Sequence, residues 1–228
     1  MDDMTAPHRK HILAQFDAEL EALKSQLLQM GRLVERQVTE AIAAFTTRDA
    51  QRAQQVIEGD REVNQLERVI DERCISLLAL RQPEASDLRF LAAVLRIVTD
   101  LERIGDLAVS TAEQVEGLDG NCPLLAVEDL PRMVNLALDM LRCAVRGFVD
   151  SDLPKAQRVL ASDSTIETSM QHLVSDLRDA MRRDPALVSN GLATISVAKH
   201  VERVAAHATN IAEMVVYIAR GEDIRHAR

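Results

Sequence analysis

Apolar residues recur every three or four positions along the first part of the chain. The run contains Gly31 but no other glycine and no proline. Such steps place side chains on one face of an α-helix. The pattern predicts a helix of about 35 residues that ends near 46–49. Its apolar stripe consists of Phe16, Leu20, Leu23, Leu27, Met30, Val34, Val38, Ile42 and Phe45.

Proline and capping residues divide the next stretch into two more helices. A second helix is predicted over 50–80, because Pro83 cannot continue a helical hydrogen-bond ladder. Ser86 or Asp87 can then cap a third helix that continues past Ala108. Short turns between long helices predict that the three are antiparallel neighbours.

A second set of helices follows a break in the middle of the chain. Gly117, Gly120 and Pro123 mark the break. Pro154 suits the first turn of a helix, and Gly221 suits the position just after a helix end. The predicted helices of this half are 128–149, 154–183 and 187–220.

Residues of the first half recur in the second half. Their spacing is 103 residues up to the second turn and 100 residues beyond it, so a three-residue deletion at that turn reconciles the two values. The matched pairs are Phe45 with Phe148, Asp49 with Asp152, Ala53 with Ala156, Val56 with Val159, Asp60 with Asp163, Glu102 with Glu202, Arg103 with Arg203, Ala108 with Ala208, Ala112 with Ala212, Glu113 with Glu213 and Val115 with Val215. We interpret this pattern as an internal duplication.

The duplication predicts an all-α fold of two pseudo-symmetric antiparallel three-helix bundles, with six helices in all. Composition agrees, because aromatic residues make up only 2% of the chain and Trp is absent, whereas strands favour aromatic residues. The predicted domains are residues 9–117 and 127–221, with a linker at 118–126 and a C-terminal tail at 222–228.

Charge and hydropathy restrict the function classes. A net charge of −9 argues against a nucleic-acid partner, which needs a basic face. The acidic start carries no apolar signal-peptide segment, and no apolar run approaches the roughly 20 residues that span a bilayer. Cys74, Cys122 and Cys143 lack CxxC spacing and are interpreted as idle thiols in a reducing compartment. We therefore predict a cytoplasmic protein.

Four oxygen-bearing side chains of the first half form the main candidate site. Asp60 and Asn64 are four residues apart, as are Glu102 and Asp106, so each pair shares a helix face. Asp60 and Asp106 are equidistant from the turn at Pro83, and so are Asn64 and Glu102. In an antiparallel hairpin all four can gather at one level.

The second half repeats this arrangement incompletely. Asp163 lies at the level of position 206, and Glu167 lies at the level of Glu202. Ala206 stands where the first half has Asp106, which weakens this site. Glu167 in place of Asn64 can compensate, and the neighbouring His207 is an alternative ligand.

Clustered carboxylates repel one another unless a cation neutralises them. The predicted cofactor is a divalent or trivalent metal ion, namely Mg, Mn, iron or Zn. An all-oxygen set suits Mg, Ca, Mn or iron better than a structural Zn. On spacing alone, a solvated acidic face with Arg103 and Arg203 as ion-pair partners is an equal alternative.

The chain resembles the PhoU family of bacterial phosphate-transport regulators over nearly its whole length. The segments that carry the resemblance are 16–20, 57–60, 81–83 with 86–89, 101–106, 201–213 and 220–226. The resemblance implies two PhoU-type bundles and E/DxxxD motifs that bind metal ions. It also implies repression of the phosphate-starvation response through contact with the phosphate ABC transporter and a sensor histidine kinase, homodimers, and membrane association only through these partners.

The family motif matches the two halves unequally. Glu102 and Asp106 match the first metal motif completely, whereas the second motif keeps Glu202 and replaces its Gly-Asp by Ala205 and Ala206. Such a departure puts metal loading of the second half in doubt and is what a divergent paralogue would show.

Three other functions are alternatives to a metal-dependent regulator. A di-metal carboxylate enzyme needs Glu-x-x-His pairs, and no Glu here is followed three residues later by His. HExxH, GxSxG and Walker motifs are also missing from the sequence, so we predict that the protein is not an enzyme. A metal-free helical adaptor, and an acidic face that docks a basic partner surface, remain as alternatives.

Overall fold

The computed structural model describes residues 6–81, 85–120 and 129–221, with side chains from residue 15 onwards except at position 81. Six α-helices occupy most of these residues, which confirms the predicted fold class. They are α1 (Ala6–Thr47), α2 (Ala50–Arg81), α3 (Ala85–Glu113), α4 (Asp129–Val149), α5 (Leu153–Arg183) and α6 (Val188–Arg220), with a 3-10 turn at Pro185–Leu187 before α6. The first helix, at 42 residues, is longer than its apolar stripe predicted.

The first turn of each half has the same construction. Arg48 and Ser151, which correspond at the spacing of 103, both adopt positive φ values of 58° and 54°. The next residue in each case is an aspartate whose Oδ1 accepts a hydrogen bond from a backbone N–H three residues on, at 2.9 Å for Asp49 and 3.0 Å for Asp152. An aspartate in this position caps the following helix. The duplication therefore extends to local backbone geometry.

The other helix boundaries divide into confirmed, corrected and undescribed positions. Gly221 ends α6 in the left-handed region, with φ 72° and its N–H bonded to Tyr217, as predicted. Helix α3 already includes Ala85, so the prediction that Ser86 or Asp87 caps it is wrong. Helix ends fray, and their exact positions depend on contacts that sequence patterns do not record. The breaks predicted at Pro83 and Pro123, most of the predicted linker and the tail at 222–228 lie outside the described residues.

Each half packs as a three-helix bundle around an aliphatic core. Helices α1, α2 and α3 contact one another, and so do α4, α5 and α6. The halves join through α3 against α6 and α1 against α4. The ring of Phe90 on α3 stacks on the ring of Phe148 on α4, with centroids 5.3 Å apart and planes 14° apart. Together these contacts make one continuous apolar core out of the two bundles.

The chain between the bundles is tied to both halves. Arg48, in the α1–α2 turn, donates hydrogen bonds to the carbonyl oxygens of Asp119 and Gly120 at 3.1 and 2.8 Å. Asn190 on α6 is fully buried and both accepts from and donates to the backbone of Asp119. The connection is therefore anchored to the α1–α2 turn of the first half and to α6 of the second half. Within the described chain, none of the helices combines the length and apolar character needed to cross a bilayer.

Candidate functional site

The structure brings the predicted residues of the first half together on α2 and α3. Asn64 donates from Nδ2 to Oδ2 of Asp60 at 2.6 Å, one helical turn away. Arg103 donates to Oδ2 of Asp106 at 3.1 Å, and its Nε lies 3.5 Å from Oε2 of Glu102. We call Asp60, Asn64, Glu102 and Asp106 the first carboxylate cluster. It is held in place by neighbours within the two helices that carry it.

Gly105 allows α3 to approach α2 closely at the level of this cluster. A Cβ atom at this position would lie 3.3 Å from Oδ1 of Asp60 and 3.3 Å from Cγ1 of Val63. Both distances are tighter than ordinary van der Waals contact, so a side chain at this position would require its neighbours to shift by a few tenths of an ångström. In the E-R-I-G-D segment, the glycine therefore allows close packing of the helices, and the two carboxylates belong to the candidate site.

The carboxylates of the cluster repel one another. Burial raises the pKa of Asp60, and the charge of Asp106 raises it further against the hydrogen bond from Asn64. Burial also raises the pKa of Glu102, with repulsion from Asp106 next in importance and Arg103 acting in the opposite direction. The raised pKa values show that burial and mutual repulsion together outweigh the stabilisation of the charged forms by Asn64 and Arg103.

Glu67 extends the cluster and was missed from the sequence. Burial raises its pKa, and the charges of Asp71 and Asp106 add to that effect. It also contributes to the raised pKa of Glu102. The signal was present, because Glu67 lies seven residues after Asp60, two helical turns along the same face.

The donor set of the first cluster fits a hard cation. Oδ1 of Asp60 is buried and has no hydrogen-bond partner among the described residues. An unpaired carboxylate oxygen beside repelling carboxylates is the environment that a Mg, Mn or iron ion neutralises. The described side chains nevertheless contain no group of three or more His, Cys, Asp or Glu already close enough to hold an ion. Metal binding here stays a prediction that would require the side chains to close in.

In the second half, the residues that correspond to the first carboxylate cluster do not share their partners. Asp163 accepts a hydrogen bond at Oδ1 from the Thr209 hydroxyl at 3.1 Å. Glu167, on the exposed side of α5, accepts from Gln171 at 3.5 Å. Glu202 is half-buried, and Ala206 is exposed. The protein itself therefore satisfies the one carboxylate that corresponds to Asp60.

His207 joins the two halves. Its Nδ1 lies 2.8 Å from Oδ1 of Asp100 on α3, and Asn210 donates to the same oxygen at 3.1 Å. This contact occupies one ring nitrogen, so only Nε2 is left for the predicted role as an alternative metal ligand in the second half. A lone histidine gives no sequence signal for such a contact between bundles.

Neutralising Asp106 is expected to stabilise the metal-free protein at neutral pH. A carboxyl group with a raised folded pKa holds more protons in the folded than in the unfolded state, so the stability it contributes is lost as pH rises above the ordinary carboxyl value. Asp106 raises the pKa of Asp60, Glu67 and Glu102. Between about pH 4 and pH 7, we expect the free energy of unfolding of Asp106→Asn to exceed that of the native protein by up to about 1 kcal/mol.

Urea unfolding in the presence of a chelator measures this difference. Asp179→Asn is the matched control, because Asp179 is an exposed carboxylate paired with Arg182 outside the cluster. A difference that does not change with pH, or that changes equally in Asp179→Asn, would show that the cluster carries no unusual repulsion.

The fold and the site together define a class of protein, namely duplicated three-helix bundles with a carboxylate cluster between two helices of the first copy. The chain belongs to the PhoU family, because the family model for the PhoU domain matches it twice, at residues 27–115 and 130–215. These matches fall on the two bundles and confirm the resemblance drawn from the sequence.

Individual relatives agree over almost the full length. The chain is 40% identical over 220 residues to the "Phosphate-specific transport system accessory protein PhoU homolog" of Burkholderia sp, covering 95% of this chain and 94% of that protein. Its structure is similar to the crystal structure of PhoU from Pseudomonas aeruginosa, with a TM-score of 0.84, 38% identity, and coverage of 91% and 100% of the two chains.

A third relative is named as a regulatory protein. The crystal structure of the phosphate transport system regulatory protein PhoU from Streptococcus pneumoniae also matches with a TM-score of 0.84, at 33% identity over 91% of this chain and 98% of that one. The family is one of accessory and regulatory proteins, which confirms the prediction that this protein is not an enzyme.

Proposed function

We propose that this protein is a negative regulator of phosphate uptake and phosphate-starvation signalling. In this role it is an adaptor between the cytoplasmic subunit of a phosphate ABC transporter and a sensor histidine kinase. The observation that carries the proposal is the match of both bundles to relatives named as phosphate-transport accessory and regulatory proteins. We also propose that it acts in the cytoplasm as a homodimer and meets the membrane only through these partners.

An adaptor needs two states that its partners distinguish. A partner shifts a conformational equilibrium only as far as its affinity differs between the states. Metal loading of the first carboxylate cluster is the proposed difference, since an ion would remove the repulsion that raises the pKa of Glu102 and Asp60. Asp60, Glu102 and Asp106, with Asn64 beside them, would hold the ion, and its charge would draw α2 and α3 together.

The end of the first bundle supplies a surface for one partner. Leu80, at the end of α2, is 78% exposed, and Leu88, at the start of α3, is 49% exposed. Ile75 on α2 is 59% exposed. All three residues are near the α2–α3 end of the bundle, and exposed large apolar side chains are candidates for protein contacts. We propose this surface, formed by Ile75, Leu80 and Leu88, as the place where the transporter subunit docks.

A direct binding measurement tests the adaptor role. Purified protein is expected to bind the transporter's cytoplasmic subunit and the kinase's cytoplasmic domain in separate titrations and in one ternary complex. We expect Leu80→Asp to weaken transporter binding about tenfold or more, because it places a charge in an apolar contact. Val188→Asp, at a partly exposed apolar position of the second bundle, is the matched control.

The alternatives give other outcomes. Binding of both partners by chelated protein and by the Glu102→Gln/Asp106→Asn variant would favour the metal-free adaptor. Loss of binding only when charge is removed, whatever the metal content, would favour docking of a basic surface on the acidic face. Failure of the protein to bind either partner would contradict the adaptor role.

A further inference from the structure

Gln37 on α1 is a buried polar side chain that the rest of the protein does not satisfy. Its residue is only 5% exposed. Both its Oε1 and its Nε2 are buried and have no hydrogen-bond partner among the described residues. Buried polar groups without a hydrogen-bond partner destabilise the folded state. A core position filled by an unpaired amide indicates that a hydrogen-bonding group belongs beside it.

Two glycines make room around this amide. A Cβ atom at Gly105 on α3 would lie 3.4 Å from Oε1 of Gln37, and one at Gly59 on α2 would lie 3.8 Å from its Nε2. The same Gly105 position is 3.3 Å from Oδ1 of Asp60, which is also buried and unpaired within the described chain. Unsatisfied polar atoms from α1 and α2 therefore converge on the space that the missing side chain of Gly105 leaves on α3.

The second half has closed the equivalent space. At the internal spacings, Met140 stands in place of Gln37 and Ala205 in place of Gly105, and both are buried. Asp163, which corresponds to Asp60, accepts a hydrogen bond from Thr209, a residue that replaces Val109. With these three differences, the second bundle has no buried amide at this position and gives its aspartate a hydrogen-bond donor. In the first bundle, the residues at the same three positions leave Gln37 and Oδ1 of Asp60 without a partner among the described residues.

We propose that Gln37, Asp60 and the space beside Gly105 form a binding site for one buried water molecule. The water would donate to Oδ1 of Asp60 and to Oε1 of Gln37 and thereby satisfy both of these oxygens. A buried water needs two to four polar partners, and this site offers acceptors from two helices. The second bundle lacks both the amide and the glycine that form this site, because Met140 and Ala205 stand at the two positions.

The water makes Gln37 a positioning residue for the first carboxylate cluster. It would hold Oδ1 of Asp60, whereas Asn64 donates a hydrogen bond to Oδ2. The orientation of a metal-binding carboxylate depends on such outer hydrogen bonds, and their removal typically weakens metal binding by 10- to 100-fold. This consequence for metal affinity rests on the proposed function, whereas the water site itself does not.

Crystal structures grown with a chelator test the site directly. We expect one ordered water peak within about 2.7–3.2 Å of Asp60 Oδ1 and a Gln37 amide atom. It should be absent in Gly105→Ala, whose added methyl group fills the space, and in Gln37→Met, which copies the residue of the second half. Met140→Gln in the second bundle is the control and should not create a water site, because Ala205 and Thr209 remain.

The outcomes separate the water site from the metal proposal. An empty space, or a direct hydrogen bond from Gln37 to Asp60, in the native crystals overturns the proposal. Anomalous scattering from crystals soaked with Mn is a second test. An anomalous peak within bonding distance of Gln37 would show that a cation occupies the place assigned to water, and would overturn the proposal. A Mn titration in which Gln37→Met binds about tenfold more weakly, with unchanged thermal stability, supports the positioning role. If the native protein binds no Mn at all, the chelator crystals still decide on the water.

Discussion

The Phe148→Ala variant is expected to lose about 3–5 kcal/mol of unfolding free energy. Phe148 is 3% exposed, and its ring stacks on that of Phe90 on α3. Truncation removes buried apolar area, leaves a cavity, and eliminates an aromatic pair that is worth about 0.5–1.5 kcal/mol in addition to its area. Because the pair joins α3 to α4, part of the loss falls on the contact between the two bundles.

Chemical denaturation followed by helical circular dichroism measures this loss. Leu192→Ala is the control, since Leu192 is 55% exposed and its truncation is expected to change stability by less than about 0.5 kcal/mol. The native protein should unfold in one transition and Phe148→Ala at a lower denaturant concentration. A loss below about 1 kcal/mol would contradict the assigned joint, as would a native protein whose bundles unfold separately.

The Glu102→Gln/Asp106→Asn variant is expected to lose metal binding by about 100-fold or more. Both changes keep the size of the side chain and remove the negative charge on which a hard cation depends. Glu102 is part-buried, and repulsion from Asp106 adds to the burial that raises its pKa, so the pair concentrates negative charge in the cluster. Elemental analysis of the purified proteins and titration with Mn, Mg and iron give the measurement.

Glu202→Gln is the matched control for this loss. Glu202 occupies the equivalent position in the second bundle, where Ala206 replaces the partner carboxylate. We expect Glu202→Gln to retain the metal of the native protein. Equal metal content in all three proteins would place the ion elsewhere, and no metal in the native protein after loading would leave an adaptor that acts by charge alone.

Much of the fold could be predicted because duplication and helix-breaking residues leave repeated marks in the sequence. Asp49 and Asp152 match in residue type, in spacing and finally in capping geometry. Pro154 and Gly221 stand at helix boundaries where their backbone preferences require them. Helix α3 starts earlier than predicted, because Ser86 and Asp87 are acceptable within a first turn as well as before it.

The candidate site was only partly predictable for a geometric reason. Spacing of three and four residues identifies neighbours on one helix, and the turn at Pro83 gives the level of a second helix. Neither rule reaches a third helix, so Gln37 on α1 carried no signal. The contact of His207 with Asp100 could not be predicted for the same reason, since it joins residues 107 positions apart in the two bundles.

The most direct test of the regulatory role is the expression of a phosphate-starvation reporter in the native host. Deletion of the gene is expected to switch the reporter on in phosphate-rich medium, and the wild-type gene is expected to restore repression. The Glu102→Gln/Asp106→Asn gene, expressed to the same level, should restore it only weakly. Unchanged reporter expression in the deletion strain would contradict the account, because a protein that restrains phosphate-starvation signalling cannot be removed without releasing it.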